Sequence, residues 1–371
     1  MAIVPEAPAE GVEPSPPVRF PGERQLRRAA KAVGLGYVKR FLLRLWARFL
    51  QWREARRDAR MQALYGAEYF AGAEQRQDGV SGYGNYTRAT SNADVAAYLL
   101  WRFLPFTESL DVGCAKGFVV EALVELGYDA KGWDVSRWAV EHADDALKGR
   151  LSVVDLSRRQ WTVGRPHFDL VTAFEVLEHL EPAKVPKVLR RLRKVSDGYL
   201  VATIPSIGTN PSGPDGFPAG KVRPERVEHY DRRNADITGP VPFEDLARDH
   251  TGAPAEGHLT IAPYSWWTAQ FERAGFVRQP ALEQAMHAVI GRFDLSVAWS
   301  LYVFHVDGRE PAPMVRRSEA ELSEAERRWH LAEREITGES RDLTLRTVGP
   351  EACDAIDREL EASRRRRVPP A

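Results

Sequence analysis

The residues of this chain best placed to do chemistry begin in the run SLDVGCAKGFVVEALVELGYDAKGWDVS, residues 109–136. Asp111 closes an apolar stretch, Gly113 and Gly117 follow in a D-x-G-x-x-x-G loop, and Asp134 stands 17 residues after Gly117. Glycine suits a point where backbone must pass close to a ligand, and an acid at the end of the next strand can bind both hydroxyls of a ribose. The loop is not the G-x-G-x-x-G that seats a pyrophosphate on a helix N-terminus. An acid at its mouth would repel phosphate and welcome an ammonium, so the pattern points to a ligand with a ribose and a cationic amino acid end. Further along, Glu175, Glu178 and His179 lie at i, i+3 and i+4. If that segment is helical they share a face and could hold one divalent ion, a later histidine completing the set. Histidine is also the side chain suited to take a proton near neutral pH, and His179, His229 and His258 lie where such a base would be wanted.

These residues need a frame of alternating strands and helices. After the strand ending at Asp111, apolar Phe118, Val119, Ala122, Leu123 and Leu126 have the spacing of a buried helical stripe, and Gly127 stops it. A second strand over residues 130–133 delivers Asp134, a third (LSVVDL) ends near Asp155, and a fourth (FDLVTAF) leads into EVLEHL. A helix with a very basic face over 182–195, a fifth strand over 198–204, a helix ending at Gly275 and closing strands over 276–282 and 297–306 complete the series. Residues 205–258 break the pattern with 8 Pro and 7 Gly in 54 positions. A long irregular insertion in a compact domain is usually functional or disordered. It leaves the C-terminal edge of the sheet, where α/β ligands bind, and is read as a substrate lid.

With these motifs in this order, residues 83–306 resemble the class I S-adenosylmethionine-dependent methyltransferases. The resemblance implies a Rossmann-like α/β fold, a seven-stranded, mostly parallel sheet with helices on both faces, carrying helical N- and C-terminal extensions. It implies S-adenosyl-L-methionine as cofactor, with Asp111, Gly113, Cys114 and Gly117 at its methionine end and Asp134 and Val135 at the ribose. Asp155 and the Leu156 backbone amide would serve the adenine, and Glu175 would lie near the cofactor. The family's middle loop glycine is Ala115 here. GHLT at 257–260 resembles an element on the acceptor side, which gives His258 the best claim as base, ahead of His229 and His179. Some family members use an ExxEH element to bind a divalent metal, so a metal at Glu175, Glu178 and His179 is the second reading, behind cofactor contact and packing. The lid and the WW-containing helix resemble those of members that modify sugars, glycans or secondary metabolites. The expected reaction is therefore O-methylation of a small-molecule or glycan hydroxyl. A nucleic-acid methyltransferase ranks second, against which stand a net charge of zero and TAFEVLEH in place of an N-P-P-Y-type motif; a non-catalytic cofactor-binding partner ranks third.

Composition frames the ends of the chain. The 371 residues predict a Pro-rich disordered leader (1–21), a basic amphipathic helix (22–64), the catalytic domain (65–306) and a charged, solvated extension (307–371). The helix carries Val38, Phe41, Leu42, Leu45, Trp46, Phe49 and Trp52 at three- and four-residue steps, with Arg40, Arg44 and Arg48 on a basic face; residues 19–60 hold 13 Lys or Arg against 3 acids. Docking on the enzyme body or a homodimer partner, with that apolar face buried, is the first expectation. Peripheral contact with the inner membrane face is the second. The segment 65–88, rich in Tyr and Phe, is expected to fold over the cofactor site. Two cysteines, no recognisable signal peptide and no apolar run of about 20 residues point to the cytoplasm.

Overall fold

The computed structural model describes residues 61–62, 64–70, 86–88, 91–158, 167–232, 237–249, 252–292, 300–310 and 315–324, with scattered positions at 45–59, at 326 and between 350 and 358. The chain falls into two compact units, residues 1–60 and 61–371. In the first, the described positions Leu45, Trp46, Arg48, Phe49, Trp52, Arg56 and Ala59 are helical. The leader and Phe41 lie outside the described residues.

The second unit opens with a one-turn helix, α1 (Ala67–Phe70), and α2 (Ala93–Phe103). Strand β1 (Glu108–Val112) then leads into α3 (Phe118–Glu125), β2 (Asp129–Asp134), α4 (Arg137–Glu141) and β3 (Leu151–Val153). Next come β4 (Phe168–Phe174), α5 (Val185–Leu192) and β5 (Ser196–Thr203). The seven-stranded sheet is completed by β8 (Phe276–Arg278) and β9 (Leu301–Val306), in the order β3-β2-β1-β4-β5-β9-β8. Strands β1 to β5 are parallel to one another, while β9 runs antiparallel to both β5 and β8. This is the expected Rossmann-like sheet. Its central strands are apolar on both faces, as a sheet covered on two sides requires: one face packs Leu170, Val201 and Val303 against α2 and α3, the other packs Val171, Leu200 and Phe304 against α5 and the Trp267 helix.

Three local expectations are corrected. The buried side of α3 is Val120, Ala122 and Leu123, whereas Leu126 is exposed, because the helix ends at Glu125 and Leu126 is its C-cap. Strand β8 ends at Arg278, and Ala281 and Leu282 belong to a helix, α8 (Pro280–Arg292), since Pro280 cannot donate to a ladder but suits a first helical turn. The C-terminal extension is not wholly solvated: Glu326 is buried, accepts from the Tyr98 hydroxyl at 2.8 Å and pairs with Arg102 at 3.1 Å.

The segment after β5 is ordered rather than loose. Two short strands, β6 (Ser206–Ile207) and β7 (Ala262–Pro263), pair in parallel and tie its two ends together. Between them α6 (Val227–Arg232) and connecting turns bury Ile207, Val222, Tyr230, Val241, Leu246 and Ile261 in a small core of their own. The chain leaves it directly into α7 (Tyr264–Arg273), whose Trp267 and Phe271 are fully buried under the sheet.

Candidate active site

Strand order reverses between β1 and β4, and ligands of such sheets bind in the crevice beyond the strand ends at that point. Asp111, the penultimate residue of β1, is buried there, and its Oδ1 accepts from the Thr172 hydroxyl of β4 at 2.7 Å. Burial pushes its carboxyl up to about 7, the nearby Asp134 adding to the effect while Thr172 opposes it. A buried acid held so far from its ordinary range is a site that favours a cation.

Asp134 ends β2, and its two oxygens accept from the backbone N–H groups of Ala115 (2.8 Å) and Ser136 (2.6 Å). The first bond pins the β1–α3 loop in place. That loop turns through left-handed backbone at Gly113, Ala115 and Gly117, with φ of 75°, 48° and 81°. Glycine is comfortable there; Ala115 adopts the conformation at a cost of about 1–2 kcal/mol. At Gly113 the requirement is also steric, since a Cβ would fall 2.2 Å from Val176 Cγ2. Cys114 is buried beneath the loop, and burial pushes its thiol well up, so its side chain is a packing group.

On the far side of β2, Asp155 lies two residues beyond the end of β3 and accepts from Ser157 N at 2.9 Å, while the Leu156 carbonyl accepts from Arg191 Nη1 at 3.0 Å. The segment before α2 folds over this edge. Gln62 donates to the Val135 carbonyl and accepts from Arg137 N, both at 2.8 Å, and the Tyr65 carbonyl accepts from Ser136 Oγ. Phe70 stacks on Trp138 with centroids 5.4 Å apart, and Tyr86 meets Phe118 at 5.2 Å. Tyr83 lies outside the described residues.

Beyond β4, the segment that would present Glu175, Glu178 and His179 on one face if helical is not an α-helix. Glu175 takes φ of 54°, and only Leu177–His179 forms a short 3-10 turn, so Glu175 does not share a face with Glu178 and His179. The later histidine does arrive: one ligand atom each from Glu178, His179 and His258 lie within 4.8 Å of one another. They meet because the returning end of the lid is stitched to the β4 loop, Leu259 N and Thr260 N donating to the Glu178 carbonyl at 2.8 and 2.9 Å. His179 Nδ1 lies 3.2 Å from the Gly257 carbonyl, which can only accept, so that bond requires the proton on Nδ1. Burial lowers both imidazoles to about 4, His258 adding to the effect on His179 and Lys221 to that on His258. Both are neutral at pH 7. His258 Nε2 lies 3.6 Å from Glu256 Oε2.

His229 is not part of that cluster. It sits exposed on α6, edge-on to Tyr230, turned to solvent by the lid core that buries its neighbour. Lys221, Glu256 and Gln62 escaped notice in the sequence. Lys221 is the single lysine between 205 and 258; it is partly buried, donates to the Ser206 carbonyl at 2.9 Å and lies close enough to Glu175 for each to shift the other. Of four non-glycine residues with left-handed backbone among the described residues, Ala115, Glu175 and Glu256 all belong to this region, and such strain gathers at functional sites.

Residues 35–279 match a family described as a methyltransferase domain. The chain belongs to that family. Among curated proteins it is similar to the ubiquinone biosynthesis O-methyltransferase of Alkalilimnicola ehrlichii, 33% identical over 102 residues that span 26% of this chain and 40% of that protein. The counterpart from Paraburkholderia xenovorans is 28% identical over 166 residues, 38% of this chain and 71% of that protein. The chain thus covers about two fifths of the length of the first of these relatives. Similar solved structures include an O-methyltransferase family protein from Burkholderia thailandensis (14% identity, TM-score 0.38, 60% of this chain and 57% of that one). Another is the CcbJ methyltransferase of Streptomyces caelestis (13% identity, TM-score 0.39, 65% and 98%).

Proposed function

We propose that this protein is an S-adenosylmethionine-dependent O-methyltransferase acting on a hydroxyl of a small molecule or glycan in the cytoplasm. The observation that carries this reading is the pairing, across the β1/β4 crevice, of a buried acidic cradle with two neutral histidines. Asp111 suits the ammonium of the cofactor's methionine end, and the remaining lone pairs of Asp134 suit the ribose hydroxyls; Gly113, Cys114 and Gly117 offer backbone around them. Val135, Asp155 and Leu156 border the edge assigned to adenine. When bound, the cofactor supplies an electrophilic methyl group on a sulfonium.

The chain's own residues would then hold the acceptor in line and remove its proton. His258, neutral and partly open to the lid side, is the proposed base, and the Glu256 carboxylate at 3.6 Å would steady the imidazolium that forms. His179 positions His258, the rings 5.2 Å apart. Lys221 lies close enough to His258 to favour its neutral form, and would draw the hydroxyl toward its anion. The lid excludes water. The test is incubation of the protein with isotopically labelled methyl donor and cell extract, followed by mass spectrometry. A labelled small molecule or glycan, lost with His258→Ala, supports the reading; label confined to nucleic acid, or no transfer at all, removes it.

One observation favours a variant of this site. Glu178 is fully buried, yet neither carboxylate oxygen has a hydrogen-bond partner among the described residues. Burial, with Glu175 adding, pushes its carboxyl well up. One oxygen and two imidazole nitrogens fit a divalent ion, with Glu178, His179 and His258 holding it and Glu175 outside the set; such an ion would polarise the acceptor oxygen. Titration calorimetry with manganese or magnesium, on the protein and on Glu178→Gln, decides it. Binding lost in the variant supports the ion; turnover undiminished in chelator leaves Glu178 as a protonated packing group.

A further inference from the structure

The basic N-terminal segment is not used by any of this chemistry. Its described side chains form an exposed aromatic ridge: Leu45, Trp46, Phe49 and Trp52 are 45–50% exposed. Trp46 and Phe49 lie 5.9 Å apart by ring centroid, and Phe49 and Trp52 6.1 Å, so the rings run as one continuous patch along the helix. The Arg56 guanidinium lies 4.2 Å over the Trp52 ring, one turn further along. Arg48 is exposed beside the ridge. Large apolar side chains left in water are costly and mark a surface meant to be covered.

Two independent features say what covers it. The first is charge: residues 19–60 hold 13 Lys or Arg against 3 acids in a chain whose net charge is zero. A cationic segment of that density is complementary to an anionic surface, and like charges would set two copies of it against each other. The second is the kind of apolar residue. Tryptophan and phenylalanine flanked by arginine is the composition that settles at the boundary between headgroups and acyl chains, where aromatic rings bury and guanidinium groups reach phosphates. No described helix is long and apolar enough to cross a membrane, so the segment would lie in the interface plane.

We infer that the helix carrying Leu45, Trp46, Phe49 and Trp52 docks on an anionic lipid bilayer, its rings inserted at the headgroup level and Arg48 and Arg56 paired with lipid phosphates. The inference is independent of methyl transfer.

The experiment is flotation of the full chain with phosphatidylcholine vesicles made with and without phosphatidylglycerol, at low and high salt. The expected result is flotation only with phosphatidylglycerol, fading at high salt as the screening length shrinks from about 10 Å toward 3 Å. Replacing the ridge (W46S/F49S/W52S) should abolish flotation. R48E/R56E should weaken it roughly tenfold or more, since each cation near an anionic surface contributes several-fold to partitioning. Unchanged cofactor affinity in both variants shows that they fold. Three results would overturn the proposal: no flotation of the parent protein at low salt; equal flotation on neutral vesicles; or a dimer that the ridge variant dissociates while neither protein floats, which would assign the ridge to a second copy of the chain.

Discussion

Asp111 illustrates how much a single buried acid can control. Its carboxyl titrates near 7 in the protein against 3.8 ordinarily, so between those values the folded state holds a proton that the unfolded state does not, and stability falls as pH rises through that window. Pairing with a cofactor ammonium requires the charged form. Cofactor affinity should therefore rise with pH up to about 7, losing up to tenfold per unit below it, with proton release visible when calorimetry is repeated in buffers of different ionisation enthalpy. A flat profile would detach Asp111 from the ammonium. Asp134→Ala should weaken cofactor binding at least tenfold, from the loss of charge-assisted hydrogen bonds worth roughly 1.5–3 kcal/mol each. The histidines run the opposite way. With folded values near 4 against 6.5, the unfolded chain takes up protons first on acidification, so their contribution to stability is intact above about 6.5 and is lost as pH falls toward 4. If His258 is the base, His258→Ala should lower kcat about 100- to 10,000-fold with little change in cofactor affinity, and the acid limb of kcat, measured at saturating cofactor, should lie well below pH 6.

At the scale of elements, the segment between β5 and α7 carries a core of its own. Its ends are clamped by β6 and β7 and its centre by a core that includes Val222, Tyr230 and Leu246. Leu246→Ala should cost about 2–5 kcal/mol locally, and hydrogen exchange should quicken across 207–261 while the sheet keeps its protection. Uniform quickening would mean that lid and sheet unfold together. This part of the molecule was the least legible in its sequence. The β1–α3–β2 unit announced itself through short-range patterning: apolar strands, Gly113, Gly117 and Asp134 at fixed separations. The lid has no period to read, and Lys221 and Glu256 gain their meaning only when its chain folds back on Glu175 and Glu178. His229 lies in the same stretch of sequence, yet its side chain is exposed on α6. The EVLEH segment misled through its spacing, which suits a helix, because the left-handed backbone at Glu175 breaks the helix before it starts.

At the scale of the whole molecule, the C-terminal extension is bound to α2. Arg317 lies 4.3 Å over the Trp101 ring and donates to the Trp101 carbonyl at 2.8 Å, beside the Glu326 contacts with Tyr98 and Arg102. Glu326→Ala strands those partners and should cost about 1–3 kcal/mol, a fall in Tm of a few degrees without loss of cofactor binding. The sheet itself carries a less obvious consequence. Strand β9 lies between β5 and β8, and residues 301–306 are synthesised almost a hundred positions after β5 ends. During translation the cradle strands β1 to β4 can pair as they emerge, but the Tyr199–Thr203 edge of β5 must wait, apolar and unpaired, for a late strand to slot in antiparallel. The lid grows out of that waiting edge, so a nascent chain would hold its cofactor half assembled while the acceptor half stayed open, and chaperone demand should peak on ribosomes stalled between β5 and β9.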